Sequence, residues 1–116
     1  MNRAIWHVQH KNYTAWVNIE ELGLLPKASF RKLLKLALTG EEPESVDLLI
    51  EELPAAMLRA KTFMDKALTD PESLFPKPFG CTARERTAYY KHKQTEAKKR
   101  FEGLKWVASE LQTLKK

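Results

Sequence analysis

Between Thr82 and Arg100 the chain reads TARERTAYYKHKQTEAKKR. Arg84, Arg86, Lys91, Lys93, Lys98, Lys99 and Arg100 there surround Tyr89, Tyr90 and His92. Lysine and arginine neutralise phosphates, and an aromatic ring can stack on an unpaired base, so this mixture suits nucleic acid. Glu96 lies one turn before Arg100 and can neutralise it, but most of these cations have no carboxylate at i±4. The plainer alternative is a solvated face kept charged for solubility, with the tyrosines packed on neighbouring helices. A second basic strip, Lys27, Arg31, Lys32 and Lys35, joins the first only if its helix lies alongside.

Other residues have weaker claims to chemistry. Trp106 lies off the nearest apolar stripe, among Glu102, Gly103, Ser109 and Glu110, where a large ring can anchor a partner or simply be covered by the N-terminal segment. His7 and His10 have a spacing that a helix would place on one face, but two imidazoles do not make a metal site. Residues 41–52 hold Glu41, Glu42, Glu44, Asp47, Glu51 and Glu52 with no base among them. Their neighbours alternate as an amphipathic helix, and no nucleophile or phosphate-binding glycine loop accompanies them. They read as a solvated acidic face. Cys81 sits where a helix dipole can lower a thiol pKa, yet no histidine is near it in sequence, and it reads as a small buried hydrophobe. These residues assemble no catalytic or metal set, so the expected function is non-enzymatic, without metal or cofactor.

The charge balance sharpens the first candidate. Residues 1–81 carry ten Lys/Arg against eleven Asp/Glu, whereas 82–116 carry ten against four, so the net charge of +5 resides on the last segment. Such a surface concentrates polyanions around itself. A single cysteine excludes an internal disulfide. The opening residues lack the apolar core of a signal peptide, and no run approaches the roughly 20 apolar residues of a membrane span. The expectation is a soluble, cytoplasmic protein.

What must position these residues is helix. One domain covers 1–116, few glycines and prolines interrupt it, and an all-α bundle of four to five helices with a long C-terminal helix is expected. The exception is 1–19, where Trp6, Tyr13, Trp16 and Val17 fit helical spacing but IWHVQ and YTAWVNI also read as a short β-hairpin. Helix is preferred there because the rest of the chain is helical. Ser29 is expected to cap a helix buried through Phe30, Leu33, Leu34, Ala37 and Leu38 and ended by Gly40. Ser45 is a candidate cap of the next, in which Pro54 either kinks the helix or opens a new one. Leu74, Phe75 and Phe79 anchor a proline-rich strap.

Thr82 and Glu85 form a capping box that starts the last helix, 82–116. Its apolar stripe, Ala97, Phe101, Leu104, Val107, Ala108, Leu111 and Leu114, docks the second half and offers a surface for self-association. At 1.5 Å per residue the helix reaches about 50 Å, so the basic half upstream of Ala97 is expected to project with less protein against it.

The stretch 25–68 resembles the helical anticodon-binding region of bacterial glutamyl-tRNA synthetases in its LALTG (36–40), the following Pro43 and the later Leu58-Arg59. It covers less than half of the chain. The synthetase catalytic motifs are absent, and no residue role is carried over from it.

The function expected from the sequence is binding of nucleic acid, RNA or DNA, or of a nucleoprotein complex, through residues 84–100. Contacts would be mostly to phosphate, and Tyr89 or Tyr90 would stack or pack. The alternative is a protein-interaction module, an adaptor or inhibitor, that lays the basic helix on an acidic partner surface with Trp106 as anchor.

Overall fold

A computed structural model of the chain describes residues 5–75, 80 and 82–114. Cys81 and Phe79 lie outside the described residues. Strands β1 (Ile5–His10) and β2 (Tyr13–Asn18) lead through a 3-10 segment (Ile19–Leu24) into α1 (Lys27–Thr39) and α2 (Ser45–Thr69). A single turn, α3 (Pro71–Leu74), and the long α4 (Ala83–Leu114) complete the order.

The all-α expectation is overturned at the N-terminus. Residues 5–18 form an antiparallel hairpin, with Trp6 opposite Val17, His7 opposite Trp16 and Val8 opposite Ala15. Strand alternation explains the outcome: Trp6 and Val8 are buried, while His7 and Gln9 lie on the other face. Trp6 meets Phe30 of α1, their ring centroids 6.0 Å apart. A helix would have scattered these residues around its axis. The two-residue loop puts Lys11 in left-handed backbone at φ 52°, and its amide N–H donates to both carboxylate oxygens of Glu41 at 3.0 Å.

α1 begins earlier than the expected Ser29 cap. Pro26 is the capping residue, with no side-chain bond, and its carbonyl accepts the Phe30 N–H at 3.1 Å. Gly40 closes the helix for a reason that sequence alone conceals. A Cβ there would fall on the Gln9 carbonyl, the group that accepts the Glu41 N–H at 3.1 Å. α2 runs unbroken through Pro54, and Ser45 is its first residue rather than its cap, with a buried hydroxyl.

α4 lies antiparallel to α2 and runs nearly the full length of a body 51 × 29 × 28 Å in extent. Two clusters hold it. The main core joins Leu104, Val107 and Leu111 to Trp6, Ile19, Leu22, Phe30, Leu49 and Leu53. A smaller one joins Ala97, Tyr89 and Tyr90 to Phe63, Met64, Ala67, Leu74 and Phe75. The strap anchors Leu74 and Phe75 therefore behave as expected. The 3-10 segment crosses α4 so closely that a Cβ on Gly103 would overlap the Gly23 carbonyl, and one on Gly23 would overlap the Arg100 carbonyl.

Candidate nucleic-acid interface

The start of α4 is fixed by Thr82, whose hydroxyl accepts the Glu85 N–H at 3.2 Å and donates to the Glu85 carboxylate at 3.1 Å. From there the helix divides differently from the expected seam at Ala97. Upstream of Ala97, the unbroken exposed run is confined to residues 83–88. From Tyr89 on, the basic half is docked on the second half of α2 and the strap, and the Gln94 side-chain amide donates to the Ala67 carbonyl at 2.9 Å. α2 is long enough to reach this level, so the basic half from Tyr89 on does not project.

Docking sorts the cations into two groups. Lys93 and Arg100 are half-buried. The Lys93 ammonium lies 5.7 Å from the Tyr89 ring centre and the Arg100 guanidinium 5.6 Å from that of Phe63. Arg100 also reaches Glu96 at 4.0 Å, while its Nε is buried with no hydrogen-bond partner among the described residues. Tyr89 and Tyr90 tilt against each other at 5.5 Å, and the Tyr90 hydroxyl is buried. Arg84, Arg86, Lys91, Lys98 and Lys99 are exposed, and none has an ion pair among the described residues. His92 faces Glu96 at 3.8 Å.

The exposed group has an order that lies in its spacing rather than in its composition. Arg84, Lys91 and Lys98 are seven residues apart. Seven residues turn an ideal helix to within about 20° of its starting direction and advance it about 10.5 Å. These three cations thus form a row about 21 Å long on the side turned away from α2. Ala88 and Thr95, beside the row, are exposed as well, and no carboxylate interrupts it. Glu102, paired with Lys105 at 3.5 Å, ends it. Lys99 lies about 100° round the helix from the row, whereas Arg86, about 200° from Arg84, lies on the opposite side, in line with Tyr90 and Ala97.

The second basic strip does not join this row. Lys27 and Arg31 of α1 each lie 5.3 Å from the Trp106 ring centre, and Arg31 bonds Glu110 at 2.8 Å. This places them about 30 Å along α4 from Arg84. Lys32 and Lys35 of α1 are exposed. Trp106 packs its edge on Phe30 at 5.6 Å, so α1 covers it rather than the N-terminal segment. The stripe expected to mediate self-association is covered internally at Leu104, Val107 and Leu111, and Leu114 is exposed.

His7 and His10 point to opposite faces because they lie on a strand, not a helix. His7 stacks on Trp16 at 4.0 Å and its Nδ1 is 2.8 Å from Glu42. No group of three or more metal-ligating side chains occurs among the described residues, and no helix among them is long and apolar enough to cross a membrane. Elsewhere, Ile50, Leu53, Pro54, Met57, Ala108, Leu111 and Gln112 line an apolar groove of about 560 Å³ between α2 and α4.

No family model, curated protein or solved structure matches the chain.

Proposed function

We propose that this protein is a non-enzymatic, cytoplasmic nucleic-acid-binding protein that holds phosphates with the outer face of α4. The observation that carries the reading is the row Arg84, Lys91 and Lys98, exposed and without ion pairs among the described residues, with Lys99 on the adjoining face. Cations kept for internal structure are found against rings or carboxylates, as Lys93 and Arg100 are. The five others have no such task. Binding of this kind is governed by charge and is weakly sequence-specific, since no side chain here is arranged to read base edges.

The test is titration of random-sequence DNA and RNA at low salt. Affinity should fall steeply as salt rises, and should collapse when Arg84, Lys91, Lys98 and Lys99 are changed to Glu. Absence of binding to every nucleic acid at low salt would refute the proposal.

The groove of about 560 Å³ supports a second reading, an adaptor or inhibitor that receives an apolar segment of a partner protein. Capture of a partner that survives the charge reversals but is lost in Met57→Asp would favour it.

A further inference from the structure

Nucleic acids that present unpaired bases are held by rings on which those bases stack, together with cations that follow a pliable backbone. The outer face of α4 supplies the cations with a single small ring, His92, and neither tyrosine is open on it. Tyr90 is packed in the smaller core with its hydroxyl buried, and Tyr89 is wedged between Tyr90 and the Lys93 ammonium. The residues exposed beside the row are Ala88, Thr95 and His92; the first two cannot stack, and the small His92 ring faces Glu96 at 3.8 Å. Trp106, the nearest tryptophan along the helix, is taken up by Phe30, Lys27 and Arg31.

The row is also stiff where it is docked. Ala97 is buried, and Gln94 is bonded to the Ala67 carbonyl on the opposite helix. Lys91 and Lys98 are therefore held at a fixed spacing of about 10.5 Å along a straight line. A rigid line of charge gains most from a rigid array of phosphates, because neither side loses conformational freedom when they meet. A flexible strand would have to be ordered against the helix with one imidazole, itself facing Glu96, as its stacking surface in return.

Resting on the reading of α4 as a phosphate-binding face, we infer that its ligand is a duplex, gripped along the backbone, and not a single strand. Arg84, Lys91 and Lys98 contact phosphates, and Tyr89 and Tyr90 hold the helix in place without touching a base. DNA and RNA duplexes share this chemistry.

The experiment compares a 20-base-pair DNA duplex, the RNA duplex of the same sequence and single strands of matched phosphate number, all at about 0.1 M salt. Both the wild type and Lys98→Thr/Thr113→Lys are titrated. The double variant keeps the net charge but breaks the row. One or both duplexes should bind the wild type at least tenfold more tightly than the single strands. The relocated charge should weaken duplex binding by about five- to tenfold, the contribution of one phosphate contact at this salt. Tyr89→Leu, checked for folding by circular dichroism, should leave duplex affinity within twofold. Single strands binding as tightly as duplexes, or a Tyr89→Leu loss above fivefold in a folded protein, would overturn the inference. Duplex affinity that follows net charge and ignores the relocation would overturn the row. Absence of binding to all four probes would instead remove the reading on which the inference rests.

Discussion

Gly23 and Gly103 meet backbone to backbone, eighty positions apart in the chain, with the carbonyl of one occupying the place where a side chain of the other would begin. Gly103 lies inside α4, where alanine is intrinsically better by about 1 kcal/mol. That preference is overridden by the crossing. Gly103→Ala should lose about 2 kcal/mol net, because overpacking at a close contact outweighs the helical gain. Urea unfolding measures it, and a variant as stable as the wild type would show that the 3-10 segment can move away freely.

Trp6 ties the hairpin to the rest of the molecule through Phe30 and is 1% exposed. Trp6→Ala should cost about 3–5 kcal/mol, a large share of what holds a domain of this size together. A loss below about 1 kcal/mol would make the hairpin an appendage and not part of the core.

Pro54 interrupts the hydrogen-bond ladder of α2, since it has no N–H to give the Ile50 carbonyl one turn back. Pro54→Ala should raise stability by about 2 kcal/mol, the restored bond and relieved clash exceeding the entropy that proline removes from the unfolded chain. Thermal unfolding decides the sign. A loss would mean that the ring's contacts along the groove matter more than the ladder.

Trp106 and Arg31 should separate cleanly in the same assay. Trp106→Ala removes the edge contact with Phe30 and should cost about 3 kcal/mol. Arg31→Ala loses a solvated pair with Glu110 and should cost under about 1 kcal/mol. Equal losses would mean that the guanidinium, and not Phe30, holds the ring.

Lys91 and Lys93, two residues apart, should behave oppositely in binding. Lys91→Ala should lower the salt slope of duplex binding by about one unit, while Lys93→Ala should leave it unchanged. A reversed result would relocate the interface to the side of α4 that packs on α2.

Much of this organisation was legible in the residues, and the exceptions have physical causes. The Thr82–Glu85 pair follows a local rule and stands where that rule places it. So do Phe30, Leu34 and Ala37 of α1 and Ala97, Leu104, Val107 and Leu111 of α4, while Leu38 and Leu114 at the helix ends are exposed. The hairpin was harder, because Trp6, Tyr13, Trp16 and Val17 satisfy both a period of two and one near 3.6. Its loop is Lys11-Asn12 instead of a glycine turn, with Glu41 holding the Lys11 amide from thirty residues away. Within the candidate interface, residue types identified the cations but not their grouping. Which of them face solvent depends on how far α2 extends alongside α4, and Gln94 and Ala67 meet only once both helices are placed. The spacing of Arg84, Lys91 and Lys98 was readable from the start, but it gained meaning only when that side of the helix proved to be open.

The bare opening of α4 has a consequence for timing. Residues 83–88 bury nothing and are secured at their outer end by one threonine and one glutamate. In hydrogen exchange their amides should open at small free energy, while those beyond Tyr89 wait for the core to loosen. Arg84 thus rides on turns that wind and unwind while Lys91 stands still. A polyanion would land first on the fixed cations, and the fraying turns would then close around it, each residue ordered at a cost of about 1–2 kcal/mol. The grip at that end would be won late and released early.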